Sequence, residues 1–517
     1  MISMPGMIER AARHNPNGVC TRFEGRAFSW AQTREDIARM GAALEAFDLN
    51  VGDRVGILSL NSDRYYQAVF AIGWARCAVV PLNTRWALPE NNYAVTDSGL
   101  RVLLFDDAFT AQAEQLLQDV ETLDVAIYMG DGACPSWAQS YTGLIADNEP
   151  VPLPELDCDT MAGIFYTGGT TGFPKGVMQS HRAIWASAMS ALPSFGMNRK
   201  TIYLHAAPMF HMADFAGSMG ATICCSSNVI LQAFDPEKVL NIVGEEQVTH
   251  TLIVPAMIKM MLNHPAFASA DVSTLECVIY GASPMPAATL ETFMQHWPTV
   301  GLVQAYGQTE LAPLATLLSR EDHRPGSEKL KSAGQPTPVS ELRIVDEGGV
   351  DCEQGVSGEV VVRGPHSMIG YWNKPEETAK ALQGGWVFTG DAGYLDADGY
   401  LFIVDRVKDM VVTGGENVFT TEVENAVISH AAVQDVAVIG IPDEEWGEAV
   451  HAIVILQPDQ SVSAQELLDH CRERIAGYKL PKGVTFREEP LPLSGAGKVL
   501  KIELRKPYWE GRERQVS

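Results

Sequence analysis

Short apolar runs alternate with helix-patterned segments through the first 400 residues, and this alternation restricts the fold more than any other feature. "RVGILSL" (54–60) reads as a buried strand, "RYYQAVFAIGWARC" (64–77) as the helix behind it and "AVVPLN" (78–83) as the next strand. "RVLLFDD" (101–107), "DVAIYMG" (124–130), "HTLIVP" (250–255), "ECVIYG" (276–281) and "GLVQAYG" (301–307) continue the series. Strands that alternate with helices imply parallel sheets covered on their faces by helices. A stretch with more β character follows at "ELRIVD" (341–346), "SGEVVVRG" (357–364) and "GYLFIVDR" (399–406). After "DRVKDM" (405–410) the texture restarts as a small α+β unit: helix 421–430, strands 433–443 and 448–456, helix 463–477. The expected fold is α/β, a large N-terminal domain of parallel-rich sheets with flanking helices and a small β-barrel-like part, followed by a small α+β C-terminal domain.

The length of 517 residues suggests more than one domain. A formal charge of −26 argues against nonspecific nucleic-acid binding, because phosphate backbones repel acidic surfaces. No apolar run is long enough for a membrane span and no secretory signal opens the chain, so no integral membrane segment is expected. The nine cysteines are scattered without C-x-x-C spacing, which fits reduced thiols in a cytoplasm. His205 and His211 flank "AAPMF" and do not form a metal signature.

The stretch "YTGGTTGFPKGV" (166–177) directly follows the apolar "MAGIFYT" (161–167). Glycines permit backbone angles closed to other residues and let N–H groups crowd around an anion. Thr167, Gly168, Gly169, Thr170, Thr171 and Gly172 supply those groups and hydroxyls, and Lys175 adds a mobile positive charge. The combination suits a polyphosphate, although a glycine-rich surface turn accounts for the same residues. The ATPase phosphate loop G-x-x-x-x-G-K-[ST] is absent from the chain.

The run closely resembles the phosphate-binding signature of adenylate-forming enzymes, the family of acyl-CoA synthetases, aryl-CoA ligases, luciferases and peptide-synthetase adenylation domains. Six further segments resemble that family's motifs in its order: "PMFH" (208–211), "YGASP" (280–284), "QAYGQTE" (304–310), "FTGD" (388–391), "DRVKDMVVTGGENV" (405–418) and "PLSGAGK" (492–498). The resemblance implies a two-step reaction. A carboxylate attacks the α-phosphate of ATP and releases pyrophosphate; a thiol, here coenzyme A, then displaces AMP from the acyl-adenylate.

Two anions must meet in the first step, so cationic help is needed. By resemblance Lys498 touches both the carboxylate and the α-phosphate. Glu310 is expected to hold Mg²⁺ with Thr167 as its hydroxyl partner, and Thr309 to bond the α-phosphate. Tyr306 is expected to cover one face of adenine, with the Gly281–Ala282 backbone on the other and Ser283, Gln304, Ala305 and Gly307 beside it. Asp391 would accept the ribose hydroxyls, supported by Arg406. The resemblance also implies residues 1–404 as an AMP-binding domain, a hinge at 405–410 pivoting on Lys408, and a mobile C-terminal domain at 411–517. Rotation would bring Gly414, Gly415 and Glu416 to the passage for coenzyme A.

His211 is expected as a gate or pocket wall; a satisfied core histidine is the plainer reading. With Phe210, Phe215, Met219, Tyr280, Gly281 and Ala305 it forms the candidate acyl pocket. That apolar set points to a medium- or long-chain fatty acid or another hydrophobic carboxylic acid; a cinnamate- or benzoate-type acid is the alternative, and a catalytically inactive nucleotide sensor is a third reading. A homodimer is compatible with the sequence. The chain departs from many relatives at Gly168, where they carry a hydroxyl, so by resemblance one phosphate hydrogen bond fewer is expected there. Asp214 invites comparison with the amino-group-binding carboxylate of amino-acid-activating relatives, but its "PMFH" context is that of acyl-CoA ligases.

Overall fold

The computed structural model describes residues 3–167, 174–283, 285–414, 416–493 and 499–510, with the side chains of residues 416 and 417 left out. It forms two compact units: Met1–Leu342 with Val362–Val387, and Arg343–Val361 with Phe388–Ser517. The fold is α/β, with a large N-terminal part of mixed sheets and helices and a smaller C-terminal part.

Among the described residues, the first unit holds a nine-stranded and an eight-stranded sheet. Strands Ile202–His205, His250–Leu252, Cys277–Gly281 and Gly301–Tyr306 run parallel side by side in the first. Strands Ala78–Pro81, Arg54–Leu58, Val102–Phe105 and Val125–Tyr128 do so in the second. The parallel cores match the alternation seen in the sequence. The margins turn antiparallel, most consequentially where Met161–Thr167 folds straight back as Lys175–Ser180.

Between the sheets lies a layer of helices that includes Met4–His14, Trp30–Glu45, Asp63–Trp74, His181–Phe195 and Met212–Cys224. A helix sandwiched in this way must be apolar all round. Asp63–Trp74 meets the demand: every residue but Arg64 is buried. It starts at Ser62, whose hydroxyl accepts the Tyr65 N–H at 3.0 Å, and its one buried charge, Asp63, pairs with Arg26 at 2.8 Å. Other helices cover the outer face of each sheet and build separate apolar clusters there.

In the second unit, residues 391–395 of the strand Trp386–Leu395 pair antiparallel with Leu401–Arg406. Beyond them, Val433–Asp443 and Gly447–Leu456 form a long hairpin. Helices Thr420–Ile428 and Ala464–Arg472 pack on one face of its sheet, and the short helix Lys501–Arg505 lies against the other. No helix among the described residues is long and apolar enough to cross a membrane. All nine cysteines are free thiols.

His181 opens the helix His181–Phe195 and is buried, with its Nδ1 accepting the Met4 N–H at 3.4 Å. Burial pushes its pKa down from 6.5 to about 4. The folded state therefore favours the neutral ring, and stability is lost as pH falls from the unfolded value toward the folded one. We expect His181→Asn to flatten the decline in urea midpoint between pH 7 and 4.5, removing up to about 3 kcal/mol of pH-dependent destabilisation. An unchanged slope would contradict the assignment.

Candidate functional site

The hairpin Met161–Thr167/Lys175–Ser180 brackets the glycine-rich segment and sets Thr167 directly opposite Lys175. Gly168, Gly169, Thr170, Thr171 and Gly172 lie outside the described residues. Thr167 Oγ1 donates to the Lys175 carbonyl at 3.5 Å. Strand Gly370–Tyr371 adds to the hairpin's other edge, opposite Val177 and Met178. It brings the Tyr371 ring beneath the Lys175 ammonium, 5.2 Å from the ring centre. Lys175 also forms an ion pair with Glu377, and both side chains are partly exposed.

Thr309 and Glu310 sit on a single helical turn, Thr309–Leu311, just past the strand Gly301–Tyr306. Gln179 Nε2 donates to the Thr309 carbonyl at 2.6 Å, and the Glu310 carbonyl accepts the Met368 N–H at 2.8 Å. Glu310 Oε1 accepts from the Tyr371 hydroxyl at 2.7 Å. Burial, then the charge of Glu310, raises the Tyr371 pKa far above the ordinary phenol range, so the hydroxyl stays a donor. Thr167, Lys175, Thr309 and Glu310, far apart in sequence, are thus gathered around one hairpin. Glu310 and Thr167 offer the hard oxygen atoms that Mg²⁺ prefers.

Gly281, Ala282, Ser283, Gln304, Ala305, Tyr306 and Gly307 come together at the carboxyl ends of two neighbouring strands, with Gly281 opposite Ala305. The approach is close: a Cβ on Gly281 would lie 2.1 Å from the Ala305 carbonyl oxygen, and one on Gly307 would lie 2.0 Å from the Pro313 oxygen. Only glycine fits either position.

Behind these residues an apolar cavity of about 70 Å³ runs between the sheet and the helices His181–Phe195 and Met212–Cys224. Gly281 and Ala305 line it. Phe210, His211, Phe215, Met219 and Tyr280 are not in its lining, and strand and helix geometry explain why. Ile279 and Gly281 face the helices, so Tyr280 between them points to the sheet's other face, where its hydroxyl donates to His323 Nε2 at 2.8 Å. On Met212–Cys224 the face Ala213, Ala216, Gly217 and Gly220 looks into the cavity, whereas Phe215 and Met219 join the core between the sheets. Phe210 is buried in that same core and lies against His211, the rings tilted by 40° with centres 4.3 Å apart. Asp214 is fully buried and bonded to His205 Nδ1 at 2.7 Å, a structural role within the fold.

In the second unit Asp391 and Arg406 are cross-strand partners, with carboxylate and guanidinium 2.5 Å apart. Lys408 is largely buried, which pushes its pKa down to about 8. Arg505 donates to the carbonyls of Lys408 and Asp409 at 3.4 and 3.1 Å and pairs with the Asp409 carboxylate at 3.0 Å. Gly414 has φ +61° and accepts no side chain: a Cβ would sit 2.3 Å from the Trp446 ring. Gly415, the Glu416 side chain and Lys498 lie outside what the structure describes.

Sequence reasoning missed Tyr371, Glu377, Gln179, Trp446 and Arg505. Their contacts to the motif residues span long sequence separations, and nothing in their immediate sequence signals them.

A family model for the AMP-binding enzyme matches residues 8–372, and one for the AMP-binding enzyme C-terminal domain matches 422–498. The chain is similar to a feruloyl-CoA synthase of Amycolatopsis sp, 37% identical over 96% of this chain and 98% of that protein. It is also similar to a medium/long-chain-fatty-acid–CoA ligase of Mycobacterium tuberculosis, 36% identical over 94% of this chain and 86% of that one. Among solved structures it is similar to the o-succinylbenzoate CoA synthetase of Bacillus subtilis in complex with its acyl-adenylate intermediate. That match has a TM-score of 0.84 and 30% identity, over 97% of this chain and 98% of the other.

For Lys175 to act on a phosphate, the role expected of it from the sequence, its ion pair with Glu377 would have to open. Partly exposed pairs are worth about 0–1 kcal/mol. We therefore expect Glu377→Ala to tighten ATP binding, measured by titration calorimetry, by up to about fivefold. Weakened binding would show that Glu377 acts in some other way.

Proposed function

From the premise that this chain belongs to the AMP-binding enzyme family, we propose that it is an AMP-forming acid–CoA ligase acting on a hydrophobic carboxylic acid. The acid's carboxylate attacks the α-phosphate of ATP, and pyrophosphate leaves with the bonding electrons of the broken P–O bond. The coenzyme A sulfur then attacks the acyl carbon and AMP departs.

The observation that carries this reading is the grouping of Thr167, Lys175, Thr309 and Glu310 around one hairpin, in the same unit as an apolar cavity that ends at Gly281, Ala305 and Tyr306. In this reading Lys175 and the glycine-rich segment hold the polyphosphate, and Thr309 bonds the α-phosphate. Glu310 and Thr167 would hold Mg²⁺, which supplies charge neutralisation on the phosphates; Tyr371 fixes the orientation of Glu310 by donating to one carboxylate oxygen. Tyr306 and the Gly281–Ala282 backbone sandwich adenine, with Ser283, Gln304 and Gly307 completing that wall. Asp391 takes the ribose hydroxyls, and its pairing with Arg406 holds it in one orientation. Lys498 bridges the two anions in the first step and withdraws through a backbone change at Lys408. Gly414, Gly415 and Glu416 then border the path of the thiol, with His211 as a gate at the acid site.

A cinnamate-type acid is a second reading for the substrate, favoured by the 37% identity to a feruloyl-CoA synthase over nearly the whole chain. A screen of alkanoic, cinnamic and benzoic acids with ATP and coenzyme A, scored by AMP release, tests both. ATP binding without AMP release for any acid would point instead to a nucleotide sensor.

Lys498→Ala should abolish ATP–pyrophosphate exchange while a supplied acyl-adenylate is still converted to the thioester; full exchange activity would remove Lys498 from the mechanism. Lys408→Pro should do the reverse, retaining exchange and losing acyl-CoA output.

A further inference from the structure

The length of the cavity can be read from the strand register. Gly281 pairs with Ala305, two residues further back Ile279 pairs with Leu252, and two residues further again Cys277 pairs with His250, which pairs with Tyr203. These three rows face the helices. Strand residues rise about 3.3 Å each, so the first and third rows are about 13 Å apart. Gly281 and Ala305 line one end of the cavity, Leu252 and Ile279 its middle, and Tyr203 the third row, where Phe195 and Met197 roof it from the end of the helix His181–Phe195.

This far end is pinned on both sides. The Tyr203 hydroxyl donates to Asp214 Oδ1 at 3.3 Å, and Asp214 Oδ2 bonds His205 Nδ1 at 2.7 Å. His205 Nε2 meets Asn228 Oδ1 at 3.0 Å, and Asn228 Nδ2 donates to the Cys20 carbonyl at 3.0 Å. That last bond fixes Asn228 Oδ1 as an acceptor, so His205 Nε2 is a donor. Tyr203, Asp214, His205 and Asn228 are all fully buried, and a satisfied polar chain of this kind is rigid. The phenol also lies flush against the helix backbone: a Cβ on Gly217 would be 2.3 Å from its oxygen. Opposite, the Phe195 carbonyl accepts from His250 Nε2 at 3.0 Å and from the Arg320 guanidinium.

We propose that Tyr203, Phe195 and Met197 form a fixed end wall that limits the substrate to hydrophobic acids whose tails span about 13 Å or less. Three bonds of an extended chain cover about 3.6 Å, so the limit corresponds to about ten bonds: a medium-chain alkanoate, or an aryl acid of similar length, and not a long-chain fatty acid. The inference rests on the ligase reading and narrows its substrate class. Tyr203 is a specificity-determining residue whose position is set by Asp214 and His205, residues far from the reacting carboxylate.

The test is a kcat/KM profile by AMP release for straight-chain acids from butanoate to hexadecanoate, with cinnamate alongside, for the unaltered protein, Tyr203→Ala and Gly220→Ala. Gly220 lines the cavity, and a Cβ there meets Leu192 Cδ2 at 3.4 Å and Met197 Sδ at 3.5 Å, ordinary contacts the fold accepts. This variant keeps the test open if Tyr203→Ala does not fold. The unaltered protein should peak near octanoate to decanoate and fall at least about tenfold by hexadecanoate. Tyr203→Ala should move the peak to longer acids and Gly220→Ala to shorter ones. Hexadecanoate used as well as decanoate, or profiles unmoved by both substitutions, overturns the end wall while leaving the ligase reading intact. No AMP release with any acid overturns the ligase reading and the end wall with it.

Discussion

Two sheets share one inner layer of helices, and most of the molecule's large unit follows from that constraint. Parallel strands buried on both faces must carry apolar side chains up and down their length. Their polar business is therefore pushed to the strand ends, and in a parallel sheet all carboxyl ends emerge on one side. Tyr306, Gly281 and the turn bearing Thr309 and Glu310 sit there because the strands Cys277–Gly281 and Gly301–Tyr306 end there in register. The inner helices supply the rest. Where Met212–Cys224 presents alanine and glycine to the sheet, the layers stand apart enough to leave a cavity; where it presents Phe215 and Met219, the core closes.

Much of this was legible in the sequence because it is local. Runs such as "ECVIYG" and "RYYQAVFAIGWARC" state their structure in a few residues, and Cys277–Gly281 and Asp63–Trp74 follow them closely. The strand Lys175–Ser180 was not legible. "KGVMQS" is short and mixed in polarity, and it becomes a strand by pairing with Met161–Thr167. The site divides in the same way. Motif residues could be named because their order along the chain resembles a family. Tyr371 and Glu377 could not, since their meaning lies in contacts with Glu310 and Lys175 across more than 60 and 200 residues. Side-chain direction is a third kind of information. Tyr280 and Phe215 are apolar and close to the motifs, yet a shift of one strand position or part of a helical turn decides whether a residue faces a cavity or a core.

The polar groups buried behind the cavity tie its shape to the stability of the fold. Asp214 and His205 would each be costly alone in so dry a place. Linked to Tyr203 and Asn228 they satisfy one another, and the strand Ile202–His205, the strand Ser227–Ile230 and the helix Met212–Cys224 are tied at a single point. The arrangement also holds a phenol ring rigidly at the back of the cavity, so a network that is structural by its contacts sets the shape of the space in front of it.

The second unit has its own linkage between distant segments. The helix Lys501–Arg505 begins three residues after Lys498 and is bonded to the segment expected to act as a hinge. Lys501 Nζ donates to Thr420 Oγ1 at 2.6 Å and pairs with Glu424 at 2.7 Å, and Thr420 Oγ1 donates to Asp405 Oδ2 at 2.7 Å. Arg505 holds Asp409 by side chain and carbonyl and reaches the Lys408 carbonyl. Asp405 and Asp409 thus stand on either side of Lys408, each bonded through the same short helix. Asp409 follows Lys408 in the chain and is held by Arg505. Asp405 precedes Lys408 and is held by Thr420. Burial, which pushes the Lys408 pKa down to about 8, raises the cost of its charge at the point between them. Arg505 by its contacts with Asp409, and Lys501 by way of Thr420, therefore tie the chain on both sides of Lys408 to one five-residue helix, so both flanks of the segment expected to pivot are held by a single element.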